Sequence, residues 1–211
     1  MTLKTILRKT STTTILFTCF SMWGSDKKML EVPLIWKPAS ILQEYGVSSG
    51  NIAQLDGIKI AFIPFTDSRP EKTIIGENRE KNEARIVTTN ANVAEFVTEH
   101  FKDTFKSLGL SIVEKPEEAK LTLTGAIQKF KVLERDTYIA DVRILMSIRS
   151  GDTVLWQGTA TGRAIRFGRS YKLENYYETL SDSLLEAIAR LTNDQVFIQV
   201  LAGKVTLVPI P

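Results

Sequence analysis

The chain has 211 residues, 43 % apolar and 24 % charged, which suits one packed domain with appendages and excludes wholesale disorder. Its net charge of +3 is too small to argue for nucleic-acid binding. A single cysteine, Cys19, and a single histidine, His100, exclude an intramolecular disulfide, a cysteine-based metal cluster and a His-pair zinc site, so no metal and no cofactor is expected.

Residues 1–23 have the layout of a targeting segment. Lys4, Arg8 and Lys9 precede an apolar run, Ile15 to Trp23, far shorter than the ~20 residues of a spanning helix. Cys19 stands near the end of that run, either as an incidental cysteine of a cleavable signal or as a site of acylation. Residues 24–56 show no sustained period and contain Pro33, Pro38, Gly46 and Gly50. They read as a tether whose apolar pieces dock on the domain or form a strand.

The domain is expected over 57–194. Gly57–Phe65 is a short β-rich run ended by Pro64. The polar, charged stretch 66–90 follows with no period, long for a structureless loop. Val93, Phe96, Val97, Phe101, Phe105 and Leu108 then share one face of a helix, with Asn90 able to cap its start and Gly109 its end. Leu110–Glu114 is a second strand and Leu121–Leu133 a third, whose apolar parity changes near Gln128 and so predicts a bulge. Tyr138 to Ile148 alternates as a half-buried antiparallel strand, and Gly151-Asp152 turns it into a fifth strand from Thr153 to about Ile165. A second amphipathic helix is expected over 171–192, ended by Asn193-Asp194. Residues 195–211 are left as an edge strand or a tail.

The expected order is β-α-β-β-β-β-α. It describes an α+β, two-layer sandwich: two amphipathic helices on one face of a mixed, mostly antiparallel five-stranded sheet. The first two strands flank a helix and should run parallel. The opposite sheet face must be solvated or covered by a partner.

Leu16-Phe17-Thr18-Cys19 resembles a bacterial lipobox, though Thr18 replaces the usual small residue. With Ile63-Pro64-Phe65 followed by Thr66-Asp67-Ser68-Arg69-Pro70, and the turn Ser107-Leu108-Gly109-Leu110, the chain resembles the YajG-like lipoproteins of Gram-negative bacteria over roughly 57–193. The element order is also similar to that of the lipopolysaccharide-assembly lipoprotein LptE. These resemblances imply diacylglycerol on Cys19, which would hold the domain to the outer membrane on its periplasmic side. The charged stretch 71–87 and the C-terminal tail depart from the family pattern.

Two constellations carry possible chemistry. Asp67 and Arg69 follow a strand end, as a loop or partner site or as a local ion pair. Arg163, Arg166, Arg169 and Lys172 cluster before the second helix, as an anion or lipid-headgroup site or as a solvated basic loop. His100 beside the first helical stripe reads as a core-edge residue. No nucleophile, base and metal set is complete, so the chain is expected to be no enzyme. It is expected to act as a binding or accessory module for an envelope protein complex, or alternatively as a headgroup-binding protein.

Overall fold

The computed structural model describes residues 29–47, 52–81, 84–169 and 171–204. Its frame is a meander of three long strands: β7 (Leu121–Glu134), β8 (Tyr138–Ser150) and β9 (Thr153–Arg166). Alternation builds it. Ile127, Phe130, Val132, Val142, Ile144, Ile148 and Ala160 are buried on one face, while Lys129, Lys131, Arg143 and Arg163 lie on the other. The parity change in β7 is a bulge at Gln128, between Ile127 and Lys129. Gly151, at φ +54°, makes the tight turn from β8 to β9.

The far edge of β7 is shared by three short parallel strands laid end to end. These are β2 (Lys59–Phe62), β3 (Thr66–Asp67) and β4 (Ile74–Asn78). Beyond β2 lies β6 (Ser111–Val113), parallel to it as expected for a strand–helix–strand unit. Beyond β4 lie β5 (Arg85–Thr88) and then β1 (Leu30–Glu31). The α+β class and the mixed sheet stand, but among the described residues the sheet has nine strands, not five. The expected 66–90 loop holds β3, β4 and β5. Its strands lack alternation because Gly76 and Asn78, like their apolar neighbours, are buried.

Helix α1 (Val93–Ser107) buries Val97, Phe101 and Phe105, with Phe105 edge-on to Phe62 and Phe101 edge-on to Phe65. Its start is capped by Asn92, whose side chain accepts from the N–H groups of Ala94 and Glu95, rather than by Asn90. Asn90 instead donates to Glu31 across to β1. Helix α2 (Leu173–Asn193) lies over β8 and β9. A third helix, α3 (Gln195–Leu201), replaces the tail or edge strand expected there. Asp194 caps it, and Phe197 sits edge-on to Trp156. Residues 205–211 lie outside the described residues.

Residues 29–47 are not a free tether. Val32 is fully buried, and residues 35–40 run along the outer side of α2. The Lys37 N–H donates to Ser181, and the Ala39 and Ser40 N–H groups donate to Asp182. The two expected layers become three where this segment covers α2. That is why Ser181 and Asp182 are buried on a helix whose apolar stripe faces the sheet.

Gly162 sets how closely α2 approaches β9. A Cβ there would lie 1.9 Å from the Ser183 carbonyl oxygen and 2.6 Å from the Ala187 nitrogen, both backbone atoms. Gly162→Ala should therefore lower stability by about 2 kcal/mol or more, read as a fall in the urea midpoint with little change in slope.

Candidate functional site

Asp67 and Arg69 meet, and their geometry is that of a clamp. Arg69 Nε donates to Asp67 Oδ1 at 2.9 Å and Nη2 to Oδ2 at 2.7 Å, a bidentate pair. Nη1 donates to the carbonyls of Ile74 and Phe130, and Nη2 also to that of Lys72. All five guanidinium donors are thus used inside the protein, and Arg69 is only 6 % exposed. The pair staples the turn between β3 and β4 onto β7 and leaves no donor for a partner. Burial pushes the Asp67 carboxyl up, but the Arg69 side chain and N–H pull harder and hold it below the ordinary carboxylate range.

The basic cluster does not converge. Arg166 faces α2 and pairs with Glu178 at 2.8 Å and Asp182 at 2.9 Å. Arg163, three residues earlier on the strand and so of opposite parity, lies on the outer sheet face opposite Asp141. Lys172 pairs with Glu174 at 2.6 Å, and Lys37 and Lys172 together draw the Glu174 carboxyl down to about 2. Arg169 is exposed in the loop before α2. Cys19 lies outside the described residues.

The centre of this end of the molecule is Glu134, a residue no sequence motif marks. It is 1 % exposed. Asn78 and the Tyr176 hydroxyl donate to one of its oxygens. The Tyr138 hydroxyl, at 2.9 Å, and the Tyr171 N–H, at 3.1 Å, lie within donor range of the other. Burial first, and Glu134 second, raise the phenol of Tyr138 to about 12 and push that of Tyr176 well above the ordinary range. Tyr171 holds a left-handed backbone at φ 57°, with Arg85 and Lys81 over its ring at 5.0 and 5.5 Å. The only sequence signal was the polar Glu134 closing an otherwise alternating strand.

His100 stacks on Trp36 with ring centroids 4.4 Å apart and meets Phe96 edge-on. Its role is to seat the N-terminal segment on α1. Among the described residues no group of three or more His, Cys, Asp or Glu side chains is placed to hold a metal ion.

On the outer face of the meander Lys129, Lys131, Arg143 and Arg163 are exposed among the described residues. Lys131, Asp141 and Arg163 form one row across β7, β8 and β9, and Lys129, Arg143 and Thr161 the next. Lys129 pairs with Asp141 at 3.0 Å, which leaves Lys131, Arg143 and Arg163 in excess. Two depressions on this face share Lys129 and Asp141 and measure about 110 and 290 Å³. The smaller lies well below the ~300–1,000 Å³ of small-molecule pockets, and the larger is at the lower edge of that range.

No protein-family model matches the chain, and no curated protein is significantly similar to it. Among solved structures, protein XCC0632 from Xanthomonas campestris, of the DUF330 family, has 10 % identity and a TM-score of 0.48 over 84 % of this chain and 97 % of that one. A Caulobacter crescentus CB15 protein provisionally described as a lipoprotein has 11 % identity and a TM-score of 0.45 over 74 % of this chain and 97 % of that one. Lipoprotein GNA1162 from Neisseria meningitidis has 15 % identity and a TM-score of 0.28 over 56 % of this chain and 90 % of that one. Similarity at this level transfers neither function nor membership, and it does not confirm the YajG-like or LptE-like resemblance. No helix among the described residues is long and apolar enough to cross a membrane.

Two measurements check these roles. Arg69→Lys keeps the charge but loses the fork and leaves carbonyls unpaired, and should cost about 2–3 kcal/mol in urea unfolding. His100 gives the only imidazole signal in an NMR titration. Burial holds its pKa below 6.5, outweighing the attraction of Asp103 and Glu99. The depressed value means that its contribution to stability is present above the unfolded pKa of about 6.5 and is lost as pH falls through the folded one. Trp36→Ala should move the measured pKa back toward 6.5.

Proposed function

We propose that this chain is an exported envelope lipoprotein, acylated at Cys19 and held to the outer membrane facing the periplasm. It acts as a non-catalytic binding module for an envelope protein complex. The observation that carries the binding role is the exposed outer face of β7, β8 and β9, where Lys131, Arg143 and Arg163 give an excess of positive charge around two shallow depressions. Its partner is an acidic protein surface, because that is what this charge pattern complements. The absence of catalysis is supported by the use made of the candidate groups: Asp67 and Arg69 are spent on each other, and His100 on Trp36. Anchoring is supported by the basic and apolar layout of residues 1–23 and the lipobox-like Leu16–Cys19.

The alternative, a headgroup site built by Arg163, Arg166, Arg169 and Lys172 together, has less support. Arg166 is turned away into its pairs with Glu178 and Asp182.

Charge reversal separates these readings. Lys131→Glu with Arg143→Glu should abolish crosslinking to the envelope partner and leave the thermal midpoint within ~2 °C, since both residues are exposed. Retained crosslinking would remove the outer face from the argument. Mass spectrometry of the mature N-terminus should find diacylglycerol on Cys19, and an intact Met1 would overturn the anchoring.

A further inference from the structure

The pairing register places one set of residues at one end of the sheet. Arg85, Asn78, Glu134, Tyr138 and Arg166 form a single row across β5, β4, β7, β8 and β9. Among the described residues, the segments that leave that row emerge at the same end: 79–81, 135–137 and 167–169. Strand β1 runs parallel to β5 with Leu30 beside Val87, so Met29 leaves the sheet toward this end as well.

The surface chemistry of this end is distinctive. Seven large apolar side chains are exposed among the described residues, and four of them are here: Phe167 at 83 %, Met29 at 71 %, Ile165 at 60 % and Leu173 at 38 %. Arg79, Lys81, Arg85, Arg135, Arg169 and Lys172 accompany them. Among the described residues the carboxylates at this end are Glu77, Glu80, Asp136 and Glu174, of which Glu77 is held by Arg79 and Glu174 by Lys37 and Lys172. Positive charge is therefore in excess. An exposed apolar set, one of them aromatic, among cations is the composition that settles into the headgroup layer of an anionic bilayer.

Chain length joins the two observations. Cys19 lies ten residues before Met29, a span of at most about 35 Å even when fully extended. An acyl group on Cys19 would hold this end, and not the opposite one, nearest the bilayer.

We propose that the end that carries Met29, residues 79–81, 135–137 and 167–169, and the start of α2 docks on an anionic membrane surface, with Phe167 entering the headgroup layer. The inference rests on the acylation of Cys19 proposed above, and adds an orientation. The β7–β9 face then stands roughly upright on the bilayer, free to meet an acidic protein partner.

The test uses the full chain with its native N-terminus, purified from membranes and reconstituted in vesicles of phosphatidylcholine and phosphatidylglycerol. A benzophenone amino acid replaces Phe167 in one sample. In another it replaces Lys115, which is 70 % exposed at the opposite end of the sheet. Illumination should give about tenfold more lipid adduct at 167 than at 115, and Arg169→Glu with Lys172→Glu should remove most of that difference. No lipid adduct at 167, equal adducts at both positions, or an adduct to a second copy of the chain would each overturn the docking. The mass of the N-terminal peptide reports acylation separately. An acylated Cys19 without lipid adduct at 167 sinks this proposal alone, and a bare Cys19 sinks the anchoring whatever position 167 shows.

Discussion

One buried carboxylate organises the sheet's working end. An unpaired Glu134 at 1 % exposure would be too costly to keep in the fold, so four donors from four parts of the chain are gathered around it. Asn78 brings β4, Tyr138 brings β8, Tyr176 brings α2, and the Tyr171 N–H brings the loop between β9 and α2. Tyr171 must take a left-handed backbone to present its N–H, and its ring then lies beneath Arg85 and Lys81. The loops that carry Phe167 and Arg169 outward are therefore fixed from inside. A half-satisfied network of this kind is worse than an apolar core, so both Glu134 oxygens are supplied with donors, while the buried Tyr171 hydroxyl is left without one.

The same economy governs α2. Its polar residues are buried on two sides for two purposes. Ser183 donates to the Gly162 carbonyl at 2.9 Å, and Glu186 accepts from the Arg163 N–H at 2.6 Å, so the open edge of β9 is closed by side chains rather than by another strand. On the other side Ser181 and Asp182 hold the backbone of residues 35–40. A helix read from its apolar stripe alone looks like the outer layer of the molecule. Its Ser, Asp and Glu residues show that it is the middle one.

The sequence was most legible where one rule acted alone. The β7–β9 meander, the bulge at Gln128, the turn at Gly151 and the apolar stripes of both long helices all follow from side-chain period and glycine placement. The short strands were hidden for a physical reason. β4 reads Ile74-Ile75-Gly76-Glu77-Asn78, and its buried positions include a glycine pressed on Val132 and an asparagine bound to Glu134. Neither looks apolar. Strands β1 and β3 have two residues each and carry no periodic signal at all. The candidate residues fared according to parity: Arg163 and Arg166 are close in sequence but face opposite sides of a strand. Glu134 was invisible because its donors come from as far along the chain as Tyr176.

The docking of residues 35–40 on α2 also dictates an order of events. Lys37 finds its partner Ser181 only after 144 further residues exist. Synthesis proceeds from the N-terminus, so this stretch is made early and seated late. Leu30–Glu31 and Val32 can pair with β5, and Trp36 can stack on His100 of α1, as soon as those elements exist. Residues 37–40 must wait for α2, so a chain truncated before residue 181 leaves that stretch undocked.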